Sequence, residues 1–444
     1  MPNAAPVLAC RDHMPTGEAA EAAAKQGLSK LALELVGSEI LKIAGQIRTL
    51  QAQGASICNL TVGDFLPKQF PIPARLKEAI VKAYEQRETN YPPSDGMPAM
   101  REAVTTLYRR SLGLDYPVES VAVFGGARPA IYGTFRTIVE PGNGVIFSTP
   151  SWNNNHYVRL ADAVPIECPT SPDEGFMPTA KALRPLLSGA RLLCLNSPLN
   201  PTGTMIDRDE LLRICELVLE ENKLRQRRAE PPLFLMYDQV YWALTFGAVS
   251  HHTPQKLCPD MAAYTVLVDA ISKSLCATGL RVGWAVAPPY LMGRMRDILG
   301  HIGAWAPRPE QVATAEFLGD TAAYEAFQLH MTHEVKLRLE HLHAGLSELA
   351  REGLPVEVIP PQGAIYLSVR VNLHGRRLPD GTTITHNEQI RQFLLSQAGM
   401  AVVPFQAFGM RDETGWMRLS VGAVSLADIA ALLPRLRQSL QSIS

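Results

Sequence analysis

From Val121 onward the sequence repeats one pattern, a short apolar run followed by a longer stretch with helical spacing. The runs are Val121–Phe124, Gly144–Ser148, Leu192–Asn196, Leu233–Asp238, Thr265–Asp269 and Gly283–Ala287. Runs this short and this apolar, bounded by turn residues, read as buried strands. Strands that alternate with helices predict an α/β fold with a mostly parallel sheet and helices on both faces. In such sheets ligands bind beyond the carboxyl ends of the strands. The polar residues that follow each run are therefore where chemistry is expected.

The flanks read differently. Residues 1–30 are rich in Ala, Pro and Glu and predict a mobile or loosely docked extension. Ser38 to Gln53 has helical spacing at Ile40, Leu41, Ile43, Ile47 and Leu50, and Ser56 to Val62 reads as a short strand. Pro73 to Arg87 and Met97 to Leu112 are amphipathic helices, the first with Pro at its start. Gln311 to Arg351 is helical with a break near Gly319-Asp320. Strands at Val356–Ile359, Ala364–Val371 and Met417–Val421, then a helix from Leu426, complete the chain. The expected division is an extension over 1–30, a large domain over 59–320, and a smaller α+β domain built from both chain ends, 31–58 and 321–444.

The totals exclude several classes. A chain of 444 residues with 46% hydrophobic and 19% charged residues suits an enzyme with a sizeable core. A formal net charge of −1 gives no reason to expect nucleic acid or an acidic membrane surface as partner. Glu221 to Glu230 is charged, but before Pro231-Pro232 it reads as a solvated helix end. The seven cysteines are scattered, with no C-x-x-C pair, which points to a reducing compartment, the cytoplasm, and to no metal site. No apolar run reaches the length of a membrane span, and no secretory signal is apparent.

The strand Thr265–Asp269 is followed by Lys273, and Arg281 lies eight residues further on. A lysine in this place can form a Schiff base with a carbonyl. An arginine can hold a phosphate through two parallel hydrogen bonds. Pyridoxal 5'-phosphate presents both an aldehyde and a phosphate. Taken alone, the pair is equally well a surface lysine and arginine on a loop. Other strand ends add to it. Gly125-Gly126-Ala127-Arg128-Pro129 opens a helix, where small residues let backbone N–H groups approach an anion. Asp238 ends a strand, where a carboxylate either caps a helix or pairs with a protonated pyridine nitrogen. Trp152 is either a core tryptophan or a ring that stacks on the cofactor.

Together these segments resemble the class I/II aminotransferases, the aspartate-aminotransferase-like branch of the fold-type I pyridoxal-phosphate enzymes. The resemblance runs from about Ser38 to the C-terminus. It rests on Ser272-Lys273 with Thr278-Gly279-Leu280-Arg281-Val282-Gly283, on Asn196-Ser197-Pro198-Leu199-Asn200-Pro201-Thr202-Gly203, on Tyr237-Asp238-Gln239-Val240-Tyr241 and on Trp416-Met417-Arg418-Leu419-Ser420. It implies a large domain with a seven-stranded-type sheet plus the smaller domain. It also implies a set of roles. Lys273 carries the cofactor and moves the proton, and Asp238 pairs with the pyridine nitrogen. Asn200 and Tyr241 share the phenolic oxygen, and Trp152 stacks on the ring. Gly126, Ala127, Ser272 and Arg281 hold the phosphate, with Arg128 either there or on a distal substrate carboxylate. Arg418, Gly63 and Asn200 receive the substrate, Arg418 by clamping its α-carboxylate. His156 is a nearby polar support. Tyr91, in Asn90-Tyr91-Pro92-Pro93, would reach the phosphate of a neighbouring subunit, which implies a homodimer with shared sites. Two departures stand out. Ala270 replaces a serine that binds phosphate in many members, and Phe405 replaces a glycine, with the expectation that it reshapes the pocket rim.

The expected reaction is transfer of an amino group from an α-amino acid, dicarboxylic or polar, to a 2-oxo acid. The same motifs also serve β- or γ-elimination, replacement or condensation in specialised metabolism. A non-catalytic pyridoxal-phosphate regulator is the remote alternative. Its usual DNA-binding domain would not fit before Ser38, and the chain is not basic.

Overall fold

The computed structural model describes residues 9–35, 37, 39–378 and 381–443. The chain divides into two units, 1–38 and 39–444. In the first, helices form over Gly17–Gly27 and Lys30–Glu34, and Ser29 caps the second by accepting from the Ala32 N–H. No residue of either helix is buried. The expected loose extension is thus helical in part, with its first eight residues outside the described set.

The second unit holds thirteen described strands: β1 (Cys58–Asn59), β2 (Val121–Phe124), β3 (Gly144–Thr149), β4 (Val164–Pro169), β5 (Ala190–Asn196), β6 (Phe234–Asp238), β7 (Thr265–Ala270), β8 (Gly283–Val286), β9 (Val356–Val358), β10 (Tyr366–Val371), β11 (Met400–Ala401), β12 (Val403–Pro404) and β13 (Trp416–Ser420). A seven-stranded sheet runs in the order β2-β8-β7-β6-β5-β3-β4. Its pairs from β4 through β7 are parallel, and β8 lies antiparallel to both β7 and β2. A mostly parallel sheet is therefore what forms, as its apolar runs predict.

Side-chain alternation places the two cores. Val121, Val123, Leu193 and Leu195 face one apolar layer, whereas Ala122, Phe124, Leu192 and Cys194 face the other. A strand buried on both faces needs apolar residues at every position, which is why these runs are unbroken. The edge strand β4 went unpredicted for the complementary reason. It carries Pro165 and Pro169 and is largely exposed, as befits an edge.

The smaller four-stranded sheet runs β12-β13-β10-β9, all antiparallel. The strand expected over Ser56–Val62 shrinks to β1, which pairs in parallel with β11. The helix expected from Ser38 forms over Glu39–Ala52, Ser38 itself lying outside the described residues. The break near Gly319-Asp320 is real. Helices span Arg308–Gly319 and Thr321–Arg351, and the Asp320 carboxylate caps the second by accepting from the Ala323 N–H.

Candidate active site

Strands β5, β6 and β7 end side by side, with Asn196 opposite Asp238 and Asp238 opposite Val268. At this carboxyl edge lies a cavity of about 390 Å³, lined by Gly63, Asn200, Asp238, Tyr241, Lys273 and Arg418 among others. Lys273 stands on the short helix Ile271–Ser274 that follows β7, and its Nζ donates to the Gly63 carbonyl at 2.6 Å. The Gly63 segment is itself fastened to β13. The Ser420 N–H donates to the Leu60 carbonyl at 2.8 Å and the Ser420 hydroxyl to the Val62 carbonyl at 2.6 Å.

The Asn196–Gly203 loop is fastened in the same manner. Asn196 Nδ2 donates to the Asp238 carbonyl at 2.8 Å, and Asn196 Oδ1 accepts the Asn200 N–H at 2.9 Å. Asn200 Oδ1 in turn accepts from Arg418 Nη1 at 3.1 Å. Arg418 Nη2 donates to the Thr61 carbonyl at 2.6 Å, while its buried Nε has no hydrogen-bond partner. Arg418 is 1% exposed, and among the described residues no carboxylate forms an ion pair with it. Tyr241 shares a 2.7 Å hydrogen bond with Tyr366, whose hydroxyl also lies against Gly63.

Burial sets the electrostatics. It pushes the Lys273 ammonium down to about 8; Asp64 opposes the shift, and the Arg418 and Arg128 cations add to it. Burial also pushes Asp238 up to about 6, against the stabilising Val240 N–H. A lysine attacks a carbonyl only as the free amine. Cofactor-stripped protein should therefore bind added cofactor faster as pH rises towards 8, and no faster above it. Absorbance of the bound cofactor measures this, and a rate still climbing towards about pH 10, where an ordinary lysine titrates, would contradict it.

Beside the cavity, Gly126 (φ +96) precedes the helix Ala127–Ile138, and a Cβ at Gly126 would collide with the Arg281 guanidinium. Arg281 Nη2 donates to the Gly125 carbonyl at 2.9 Å and Nη1 to that of Thr278 at 2.7 Å. Ser272, Ala127, Thr278 and Arg281 all line the cavity. A helix N-terminus, a guanidinium and a hydroxyl at one end suit a phosphate.

Several expected residues lie outside the lining of this chain's cavity or at its exposed margin. Tyr91 is 80% exposed and stacks edge-on to Trp305, away from the cavity lining. Arg128 lines the cavity but is exposed, 5.3 Å over the Trp152 ring, so it carries no buried unpaired charge. Phe405 does not reshape the rim. It is fully buried among Phe176, Phe408 and Trp416 and lines no part of the cavity, because its ring fills the aromatic layer behind Arg418. Ala270 is buried in apolar contacts and does not line the cavity either. His156 lies outside the lining, and burial lowers its pKa. Sequence reading missed Tyr366, Asp64, Ile131 and the Thr61 carbonyl. Tyr366 carried the best signal, a tyrosine opening the strand after Gly363-Ala364.

The arrangement fits pyridoxal 5'-phosphate. It offers an amine of lowered pKa, a carboxylate at the end of the neighbouring strand, a phosphate-suited end with Arg281, and a buried cation lacking a carboxylate. A fold of this kind with such a site defines a lysine-anchored cofactor enzyme of the α/β class. Comparison with known proteins narrows the class. The model of the family "Aminotransferase class I and II" matches residues 55–436. A probable aspartate/prephenate aminotransferase of Thermus aquaticus is 30% identical over 418 residues, 94% of this chain and 100% of that protein. The aspartate aminotransferase structure from Thermus thermophilus with maleate superposes with a TM-score of 0.82 at 27% identity, covering 93% of this chain and 99% of that one. That from Rhizobium meliloti gives 0.85 at 25% identity, over 94% and 99%. The chain belongs to the class I and II aminotransferase family. It is a pyridoxal-phosphate-dependent aminotransferase that moves an amino group between an α-amino acid and a 2-oxo acid. These relatives give no support to elimination, replacement or condensation.

Proposed function

We propose that the amino donor is a polar α-amino acid, dicarboxylic first, held by Arg418. The α-carboxylate clamp rests on the fully buried Arg418 guanidinium, whose neighbours are the Asn200 amide oxygen and the Thr61 carbonyl and not a carboxylate; the dicarboxylic preference rests on Arg128, a second cation at the cavity. A buried cation without a counter-ion is strongly disfavoured. The α-carboxylate of the substrate supplies that counter-ion, with Gly63 beside it. When bound, the cofactor supplies the electron sink for the amino acid's Cα electrons. Lys273 anchors it and carries the Cα proton. Asp238 faces its ring nitrogen, Asn200 and Tyr241 its phenolic oxygen, Trp152 its ring. Gly126, Ala127, Ser272 and Arg281 hold its phosphate.

Arg128 is the group on which side-chain choice turns. It stands at the cavity with no ion-pair partner among the described residues, and the Thermus thermophilus relative was crystallised with maleate, a dicarboxylate. Because Arg128 is exposed, its contact is worth roughly 1.5–3 kcal/mol, the scale of a hydrogen bond to a charged group. Arg128→Ala should lower kcat/KM for aspartate or glutamate by about one to two orders of magnitude and leave alanine nearly unchanged. Equal losses would assign Arg128 to the phosphate instead. A panel of amino acids with a common 2-oxo acid, read by mass spectrometry of the products, tests the donor class; apolar donors outpacing acidic ones would refute it.

Tyr91 supports a homodimer with shared sites, since it is exposed and does not line its own chain's cavity. Hybrids of Tyr91→Phe and Lys273→Ala subunits would then contain one site with neither change. Recovered activity in the hybrid supports sharing, and a Tyr91→Phe homodimer with wild-type activity contradicts it. No helix among the described residues is long and apolar enough to cross a membrane. The scattered cysteines support a cytoplasmic place of work. The two sheets support a large domain over 59–320 and a small one from 31–58 and 321–444.

A further inference from the structure

A second polar cluster lies behind the cavity, in the apolar layer that packs against the helix Pro98–Leu112. Asp269, on β7, is 1% exposed, and burial pushes its carboxyl up to about 8. Its Oδ2 accepts from the Tyr108 hydroxyl at 3.1 Å and from Trp242 Nε1 at 2.8 Å, and its Oδ1 accepts the Ala270 N–H at 2.7 Å. The Tyr108 hydroxyl also accepts two bonds, from Gln239 Nε2 at 3.1 Å and Trp284 Nε1 at 3.0 Å. A phenol has one proton and two acceptor sites. With both acceptor sites taken by N–H groups, its proton points at Asp269. Gln239 Oε1 extends the cluster to His251 Nε2 at 3.3 Å.

The placement of these residues gives the cluster its meaning. Gln239 directly follows Asp238, and its N–H donates to the Val268 carbonyl at 3.0 Å. Asp269 sits four residues before Lys273 and directly opposite Trp284 across β7 and β8. None of Tyr108, Gln239, Asp269 or Trp284 lines the cavity. One phenol hydroxyl therefore joins the end of β6, which presents Asp238, to the end of β7, which leads into Lys273. A carboxylate in an otherwise apolar layer is costly to bury, and a stability role alone would be served better by apolar residues.

We infer that Tyr108 and Asp269 are positioning residues for the aminotransferase reaction, setting the separation and angle between Asp238 and Lys273 and thus the seat of the ring between them. The inference rests on the site reading given above. It concerns residues that touch neither substrate nor cofactor and act through the two strand ends.

The test uses the holoenzyme. Tyr108→Phe removes the hub hydroxyl and leaves the ring in place. Asp269→Asn keeps the shape but replaces one accepting oxygen by an amide N–H that must face a donor, either the Ala270 N–H or the Tyr108 and Trp242 pair. For each variant, kcat should fall by about ten- to a hundredfold, the scale of outer-layer supports around a cofactor site, with KM within about twofold of wild type. The visible circular dichroism of the bound cofactor, which reads its orientation in the site, should lose most of its intensity. A merely structural role would lower the melting temperature and leave kcat and the dichroism in place. That outcome in both variants overturns the inference; if Tyr108→Phe does not fold, Asp269→Asn alone decides. Wild-type protein that binds the cofactor but moves no amino group from any donor would sink the donor reading, while the dichroism would still report on the hub.

Discussion

Lys273→Ala should fold normally and lose turnover by roughly five to six orders of magnitude, the scale on which removal of a covalent catalytic residue is felt. The lysine serves twice. In the proposed site it is the amine that attaches the cofactor and the base beside the substrate's Cα. Asn200 and Tyr241 are proposed only as hydrogen-bond partners of the cofactor and can replace neither function. Folding should be spared because the side chain contributes a buried ammonium, a group that costs stability where it sits. Its one hydrogen bond is to the Gly63 carbonyl, which the Ser420 attachment holds in place without it. Cofactor-free Lys273→Ala is thus expected to melt at or above the wild-type temperature. Steady-state kinetics and a thermal melt check both halves. A variant that loses activity and also fails to fold would show that Lys273 is a structural residue.

Arg418→Ala is the second large effect. The guanidinium is sealed beneath Tyr366 and Phe408, each ring centroid 4.8 Å from it, where solvent screening is weak. Breaking a buried charge pair by removing one partner typically costs about 3–5 kcal/mol. At about 1.36 kcal/mol per decade, kcat/KM should fall by roughly two to four orders of magnitude for every amino acid donor, acidic or apolar. This uniform loss separates Arg418 from Arg128, whose removal should be felt by acidic donors alone. Binding of the cofactor itself should survive, because Arg418 contacts the Asn200 side chain and the Thr61 backbone, and none of the phosphate-side residues. Donor-selective loss in Arg418→Ala would assign the arginine to the substrate side chain and leave the α-carboxylate without its clamp.

The sheet could be read from the chain because strands buried on both faces have to be apolar throughout, and such runs admit few other structures. The same requirement hid β4, which, at the edge and carrying two prolines, lacks the apolar signature. The short reach of β1 was hidden for another reason. After Asn59 the chain turns at Leu60-Thr61 on its way to Gly63, and hydrogen bonds of this segment go to β13 side chains and backbone instead of a long ladder. In the site, Lys273, Asp238, Asn200, Tyr241 and Arg418 were legible because each follows or sits on a predicted strand in a recurring motif. Two kinds of residue were not. Tyr366 matters through a hydroxyl brought to Tyr241 from 125 positions away, a contact that no local pattern encodes. Asp269 was visible as a carboxylate inside an apolar run, yet its neighbours Tyr108, Trp242 and Trp284 come from three other segments. Exposure was also beyond reach. Arg128 and Arg418 look alike in the sequence, and only the fold places one at the mouth of the cavity and the other beneath an aromatic lid.

One lysine, just past the end of β7, is expected to join the cofactor to the chain. Purified protein loaded with pyridoxal 5'-phosphate, reduced with borohydride and digested, tests this directly by peptide mass spectrometry. A single pyridoxyl-bearing peptide is expected, the one that contains Lys273, and none in Lys273→Ala. A pyridoxyl group on any other lysine, with Lys273 unmodified, would contradict it.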